Sequence, residues 1–387
     1  MFKNMNFLYL KLNYSYFKLI FTRIYIITRM HQTSYILLGV MSGTSLDGVD
    51  LAYVEFSKDE KWKFTILACD TIPYPDEWVE RLEKAVFFST KKIKALDEDY
   101  TQYLGAIIKQ FIKDHPVKYL DAVASHGHTI LHRPEAGVTY QIGNLSELAG
   151  YVNKLVVCDF RVEDVALGGQ GAPLVPIGDA LLFEEYAACV NIGGFANISY
   201  DDGLSRIAYD ICPANIVLNR YARELGFKYD DRGKIARNGR VDEGVLQRLN
   251  QLEFYQKPAP KSLGLEWVQR DVLPILEKSG LSAQDTIATF TEHSAAQIAQ
   301  QLRLSVVGKN SKKILITGGG AYNEFLIERI SELSILPLTN ADAQTIEFKE
   351  ALIFAFMGAL RLRNTSNILS CVTGAPYDHC AGMVYSP

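Results

Sequence analysis

The chain has 387 residues with 40 Lys+Arg against 44 Asp+Glu, a formal charge of −4, and it is 22% charged and 48% hydrophobic. That balance excludes a disordered chain and a nucleic-acid-coating protein, and the length suits two domains, each able to bury a core without disulfide staples. Cys69, Cys158, Cys189, Cys212, Cys371 and Cys380 form no C-x-x-C pair, which excludes a zinc ribbon and suits a reducing cytosol.

Residues 1–29 are rich in aromatic residues, Ile and Asn, but Lys11, Lys18 and Arg23 interrupt the run. An export signal needs an uncharged stretch of about 7–15 residues and a membrane span about 20 apolar ones, and neither fits. The remaining readings are an interfacial amphipathic anchor and, preferred, upstream translation before a true start at Met30. Residues 1–33 are therefore expected to lie outside the fold.

Residues 35–41 form an apolar run, 43–48 a small-residue turn and 49–56 an alternating stretch, which predicts strand, tight loop, strand. A third strand is predicted over 61–68, helices over 77–88 and 98–113, and buried strands over 119–124 and 154–158. A second start follows, where a strand over 187–192 meets Gly193-Gly194 and continues over 196–200 into an acidic turn. A strand over 206–209, helices over 215–225 and 286–304, a strand over 312–317, a glycine turn at 318–320 and a helix over 323–333 come next. Lys349-Glu350 opens an apolar helix over 351–362, where a glutamate is favoured by the helix dipole. The class is α/β. Its strand, glycine turn, strand unit reads as duplicated, although single glycine-flanked hairpins are common.

The run Met41-Ser42-Gly43-Thr44-Ser45-Leu46-Asp47-Gly48-Val49-Asp50 offers backbone N–H groups, hydroxyls and carboxylates, a composition that cradles phosphate and metal or makes an ordinary β-turn. A Walker A loop is absent, since Gly233-Lys234 and Gly308-Lys309 lack the following Ser or Thr. Gly318-Gly319-Gly320 lets a nucleotide approach the backbone at a helix start. A Rossmann fingerprint competes but puts Asn323 where its third glycine belongs, and a plain turn is the other alternative. Residues 168–173 read as a mobile or ligand-hugging loop, or as a linker. His126, His128 and His132 tempt a metal reading but lack the carboxylate partner of a catalytic zinc, and 125–129 reads instead as a polar rim after the preceding strand, touching substrate hydroxyls. Asp210, before Pro213, suits a general base and equally a helix cap. Asp159-Phe160-Arg161 is an ion pair or a pair of site residues.

In order, residues 41–50, Ser125-His126-Gly127-His128-Thr129, Gln141-Ile142-Gly143-Asn144, Asp159-Phe160-Arg161, 168–173, Asn191-Ile192-Gly193-Gly194-Phe195-Ala196-Asn197, 317–323 and Val372-Thr373-Gly374-Ala375 resemble the anhydro-N-acetylmuramic acid kinase family over about 34–387. The resemblance implies two ribonuclease-H-like lobes of the actin-like ATPase (sugar kinase) fold around a central nucleotide cleft. The first lobe would take 34–160 plus about 361–387, and the second about 161–360. It implies a kinase that uses ATP and Mg2+ to open 1,6-anhydro-N-acetylmuramic acid with water and phosphorylate O6. The products would be N-acetylmuramic acid 6-phosphate and ADP, in peptidoglycan recycling and amino sugar catabolism.

The same resemblance assigns phosphate binding to Ser42, Gly43, Thr44, Ser45, Leu46, Asp47, Gly48, Val49 and Asp50 and to Gly193, Gly194 and Asn197, with Mg2+ near Asp47. Gly318, Gly319, Gly320 and Asn323 would hold adenosine, Asp210 would be the catalytic base, and His126, Thr129, Gln170, Asn215 and Glu350 would contact the sugar. A cytoplasmic homodimer that binds neither nucleic acid nor membrane is expected. Two segments depart from the family. Asp-x-Gly-Pro-Gly-Asn reads Asp210-Ile211-Cys212-Pro213-Ala214-Asn215, and Lys-Ser-Thr-Gly-Arg-Glu reads Lys261-Ser262-Leu263-Gly264-Leu265-Glu266. The arginine contact missing at Leu265 bears on lactyl or N-acetyl recognition. A kinase of the same fold for another sugar or small-acid hydroxyl is therefore the alternative, and a nucleotide-gated binding or filament protein the third reading.

Overall fold

The computed structural model describes residues 32–43, 45–307 and 313–387. Residues 1–31, Thr44 and the first residue of the strand predicted over 312–317 lie outside the described residues, whereas Gln32 and Thr33, expected outside the fold, are bonded to it, their carbonyls accepting from Arg363 Nη1 at 2.8 Å and the Lys58 N–H at 2.7 Å. The chain divides into two compact units, one ending at Leu182 and resuming over Glu350–Pro387, the other Phe183–Lys349.

The principal elements of the first part are β1 (Ser34–Ser42), β2 (Gly48–Lys58), β3 (Trp62–Pro73), α1 (Asp76–Lys84), α2 (Thr90–Asp114), β4 (Ala122–Arg133), β5 (Val138–Ile142), α3 (Glu147–Val152), β6 (Val156–Cys158), α4 (Val162–Ala166) and α5 (Pro176–Leu182). The second unit continues with β7 (Ala188–Ile192), β8 (Phe195–Asp201), β9 (Arg206–Pro213), α6 (Asn215–Glu224), α7 (Lys234–Asn238), α8 (Glu243–Asn250), α9 (Ala283–Ser305), β10 (Ile314–Thr317), α10 (Glu324–Ser334) and β11 (Leu338–Asn340). Helix α11 (Ala343–Leu362) contains the boundary at Lys349/Glu350, and β12 (Met383–Tyr385) follows it.

Strands are ordered β3-β2-β1-β4-β6-β12 in one sheet, with β5 paired to β4, and β9-β8-β7-β10-β11 in the other. In each, three antiparallel strands joined by short turns meet parallel strands reached through helices. The duplication read in the sequence is thus a repeated ribonuclease-H-like order. On one face of the first sheet Leu38, Val40 and Leu51 pack with Tyr100, Leu104 and Ile108 of α2. On the other, Phe56 meets Phe356 of α11 with ring centroids 5.3 Å apart. A β-carbon on Gly39 would lie 1.9 Å from the carbonyl oxygen of Ala351, so α11 rests directly on β1. In the second unit Ile298 and Leu302 of α9 pack with Val190, Ile198 and Ile316. Ser282 caps α9 by accepting from the Asp285 N–H and donates its hydroxyl to the Asp285 carboxylate.

Several sequence expectations change. The strand predicted over 119–124 is β4, which begins at Ala122, while Tyr119 is exposed. β4 runs through Ser125, His126, His128 and Thr129, so the polar rim lies inside the strand; these polar side chains tolerate burial because they are hydrogen-bonded. β9 extends to Pro213, placing Asp210 within a strand and Pro213 at its end rather than in a helical turn. α11 starts at Ala343, where the Asp342 carboxylate accepts from the N–H and hydroxyl of Thr345, so Glu350 lies mid-helix and the dipole argument does not apply to it. β5, β11 and β12 were not predicted, being short strands. The sequence division near 160 and 361 compares with boundaries at Leu182/Phe183 and Lys349/Glu350; α5 belongs to the first unit because Gly178 packs against Ile353. None of the six cysteines is in a disulfide. Among the described residues no helix is long and apolar enough to cross a membrane.

The contact between Gly39 and Ala351 is testable by adding one carbon. Gly39→Ala is expected to cost about 1–3 kcal/mol by overpacking and to lower the midpoint of thermal unfolding. An unchanged midpoint would contradict the close approach.

Candidate active site

Pairing among β7, β8, β9 and β10 brings four polar residues into one row. Asn191 is opposite Thr317 on one side and Asn197 on the other, and Asn197 is opposite Asp210. Directly opposed residues share a face of the sheet. Thr317 Oγ1 lies 3.5 Å from Asn191 Oδ1, and the buried Lys349 ammonium donates to Thr317 Oγ1 at 3.4 Å. The register passes from Ala196–Cys212 to Asn197–Asp210, leaving Ile211 as the extra residue of a bulge, a device that re-aims side chains beside sites.

Asp210 is half-buried and does not cap a helix. Its Oδ2 accepts the Leu263 N–H at 2.8 Å and its own N–H donates to the Lys261 carbonyl at 3.0 Å. Burial raises its carboxyl above the ordinary range, opposed by the Leu263 N–H, and a raised carboxylate is a stronger base than a free one. Of the two replaced glycines, Cys212 is buried in β9, and Ala214 precedes α6 with φ −135° and ψ −103°, away from the main α and β regions. Gly193 and Gly194 form the β7–β8 turn, their carbonyls accepting from Ala214, Asn215 and Ile216 at the start of α6.

A cavity of about 630 Å3 in the second unit is lined by Asn215, Asn219, Arg232, Gly319, Tyr322 and Asn323, among others. Its volume falls within the ~300–1,000 Å3 of small-molecule sites. Gly318 has φ +79°, and a β-carbon there would lie 2.7 Å from Asn191 Oδ1, so glycine is required. At Gly319 nothing would lie within 4 Å of a β-carbon. Asn323 also caps α10 through Oδ1, which accepts from Leu326 N–H at 3.0 Å. Tyr229, Asp231 and Arg232 also line the cavity and escaped sequence reading; Asp230-Asp231-Arg232-Gly233 carries only a turn signal. Asp230, also on that wall, accepts from Ile235 and Ala236 N–H at the start of α7.

The first unit holds a separate polar group. Ser42 is buried, its hydroxyl 2.6 Å from Tyr74 OH and 2.7 Å from His128 Nδ1. The hydroxyl therefore faces inward and anchors the turn, rather than facing phosphate. Burial pulls His128 down to about 4, keeping it neutral. Gly48 and Val49 are buried, and Asp50 accepts from Thr71 Oγ1 at 2.6 Å. Gly43, Ser45, Leu46 and Asp47 retain exposure in the turn, with Thr44 outside the described residues. Among the described residues no three side chains of His, Cys, Asp or Glu are grouped to cage a metal. The single exposed carboxylate of Asp47 suits a Mg2+ that keeps waters and is held mainly by phosphate oxygens.

His126 is buried with both ring nitrogens engaged. Nδ1 lies 2.9 Å from the Gly127 carbonyl, and Nε2 accepts from Arg161 Nε–H at 2.9 Å. Burial and the Arg161 charge keep the ring neutral, so His126 orients Arg161 and does not present a nitrogen of its own to sugar. Arg161 Nη1 donates to the Gly171 carbonyl at 2.6 Å; burial lowers Arg161 to about 10, with Glu350 and Asp164 opposing. Asp159 turns elsewhere, accepting from Asn144 Nδ2 at 3.2 Å, and burial pushes it up to about 6. Asp159 and Arg161 are thus not an ion pair. The loop 168–173 is tied down. The fully buried Asp164 accepts from Gly171 N–H at 2.6 Å and Thr373 Oγ1 at 2.7 Å, and Gln170 N–H donates to the Thr373 carbonyl at 2.7 Å. Thr129 accepts from Gln141 Nε2 at 3.3 Å, and Gln170 and Glu350 are exposed.

The family profile described as anhydro-N-acetylmuramic acid kinase matches residues 35–387. A protein of that name from Hydrogenovibrio crunogenus is 34% identical over 366 residues, covering 92% of this chain and 99% of the relative. One from Xanthomonas oryzae pv. oryzae is 34% identical over 374 residues, covering 92% and 98%. One from Actinobacillus pleuropneumoniae is 32% identical over 375 residues, covering 91% and 99%.

The open space at Gly319 separates ligand binding from folding. Gly319→Ile is expected to weaken binding of ADP, measured by calorimetry, about tenfold or more (~1.4 kcal/mol), with the thermal midpoint nearly unchanged. Undiminished affinity would mean the cavity is not the nucleotide site.

Proposed function

The chain belongs to the anhydro-N-acetylmuramic acid kinase family, and on that premise we propose that it opens 1,6-anhydro-N-acetylmuramic acid with water while phosphorylating O6 from ATP. The products are N-acetylmuramic acid 6-phosphate and ADP. The observation that carries the reading is Asp210, a half-buried carboxylate in the polar row of the second unit, held on one oxygen by the Leu263 N–H and raised by burial.

Asp210 Oδ1 is the oxygen we assign to the attacking water. As the water oxygen bonds to the anomeric carbon, Asp210 takes a proton from it and the bond from that carbon to O6 breaks. O6 then bonds to the γ-phosphorus, and the bond from that phosphorus to the ADP oxygen breaks. Asp210 afterwards returns its proton to solvent. The base and ribose of ATP occupy the cavity beside Gly319 and Asn323, where Asn215 also lies. Mg2+, with Asp47 as its assigned protein carboxylate, supplies charge neutralisation for the transferring phosphoryl group. The protein's part is mainly positioning and electrostatics. Six cysteines without a disulfide suit a reducing compartment, which supports placing the reaction in the cytoplasm, as a step of amino sugar catabolism.

ADP release with Mg-ATP is to be compared for the anhydro sugar, its glucosamine counterpart lacking the lactyl group, and no sugar. Turnover confined to the lactyl sugar is expected; ADP release independent of sugar would refute the assignment. Asp210→Asn is expected to lower turnover by about 100- to 10,000-fold, and wild-type-like turnover would remove Asp210 as the base. The base must be ionised, so kcat/KM falls as pH drops through its folded-state pKa. Burial raises that pKa, so the acid limb is expected at a pH above the ~3.9 of a free aspartate. A limb at or below that pH would contradict the burial argument.

A further inference from the structure

Asp210 is gripped by backbone rather than by side chains. The Lys261 carbonyl accepts its N–H and the Leu263 N–H reaches its Oδ2, at 3.0 and 2.8 Å. The segment 261–263 thus lies along β9 at the point where the bulge at Ile211 interrupts pairing with β8. Because the contact to the carboxylate comes from an amide N–H, any residue but proline at position 263 supplies it. Leu263 is therefore compatible with the site although it replaces the family's threonine.

A segment without regular secondary structure holds a carboxylate only if the segment itself is held. Lys261 does this. Its ammonium donates to the Phe254 carbonyl at 3.2 Å, and sits 4.6 Å from the centre of the Phe254 ring and 5.9 Å from that of Tyr209. Both rings are buried in the core of the second unit, and Phe254 packs edge-on against Tyr255 and tilted against Trp267. Tyr209 immediately precedes Asp210 in β9 and fixes its own hydroxyl on Gln301 of α9 at 2.8 Å. The lysine therefore spans from the core to the strand that carries the carboxylate. A cation over aromatic faces with a carbonyl acceptor is a directional restraint.

We propose that Lys261 is a positioning residue for the general base: by pinning 261–263 to Phe254 and Tyr209 it holds the Leu263 N–H on Asp210. The proposal rests on Asp210 being the base, and its test is built so that the two can fail separately. A hydrogen bond to the ionised carboxylate favours that form, so loosening the segment raises the Asp210 pKa.

The carboxyl carbon of Asp210 is followed by NMR across a pH titration in 13C-aspartate-labelled protein, assigned by its absence in Asp210→Asn. Lys261→Met is expected to raise the Asp210 pKa by about half a unit or more. It should move the acid limb of kcat/KM to higher pH and lower kcat about tenfold, with KM for ATP unchanged. Lys261→Arg, which keeps the charge and donors, should restore most of kcat and the wild-type titration. Leu263→Pro removes the N–H itself and should raise the pKa likewise, which decides the matter if Lys261→Met does not fold. An Asp210 titration unmoved in folded Lys261→Met or in Leu263→Pro would overturn the proposal, as would slower turnover without a moved acid limb. Should the wild type not turn over the anhydro sugar, the functional reading falls while the titration still decides the clamp.

Discussion

A slip of one residue in the pairing of β7 with β8 and β10 would turn the row Thr317, Asn191, Asn197, Asp210 into the core and bring out Ile316, Val190, Ile198 and Tyr209. That neighbouring row is buried against α9, and exposing it would cost roughly 1.5–3 kcal/mol for each large side chain. The register of the second sheet is therefore set by hydrophobic burial, and the polar row is its consequence. The turns at the ends of these strands inherit the constraint. Gly318 has to pass close to Asn191 and Ile192 because β10 is aligned with β7, and this leaves Gly319 at the wall of the cavity.

The first unit solves a different problem with the same sheet order. Its β4 carries two histidines inward, and each is neutral and hydrogen-bonded, His128 to Ser42 and His126 to Arg161. Buried polar groups are costly unless satisfied, and these pairs join segments far apart in the chain. Asp164 is the extreme case. It is fully buried, yet its two oxygens gather Gly171 and Thr373, with His379 Nε2 3.6 Å away. The glycine-rich segment 168–173 is thereby an ordered loop, and the Val372–Ala375 motif has a structural reason.

Of the departures from the family segment around Asp210, Cys212 is a small buried residue in a strand, while Ala214 sits at φ −135° and ψ −103°, away from the α and β regions that L-residues mostly occupy. The hydrogen bonds that hold Asp210 come from main-chain atoms of Lys261 and Leu263, which substitutions at 212, 214 and 263 leave in place.

Local pattern made the alternating strands around each glycine turn legible, along with the long α9 and α10, whose capping residues Ser282 and Asn323 follow local rules. It missed the inward polar stretch of β4 and the polar first turns of α11, because periodicity carries no sign of a buried histidine's partner 35 residues on or of a helix begun by a capping aspartate. The ordered motifs identified the chemistry, and Asp210, Gly319, Asn215 and Asn323 were named from them. The cavity wall at Tyr229, Asp231 and Arg232 had no motif to reveal it. The inward turn of the Ser42 hydroxyl, the engagement of both His126 nitrogens and the grip of Lys261 and Leu263 on Asp210 were decided by tertiary structure alone. The sequence by itself determined the repeated strand pattern and the candidate reacting groups, since hydrophobic periodicity and residue chemistry are local properties. Which of those groups are free to react, and at what pKa, depends on burial and on hydrogen bonds between residues distant in the chain, and those exist only once the sheets have formed.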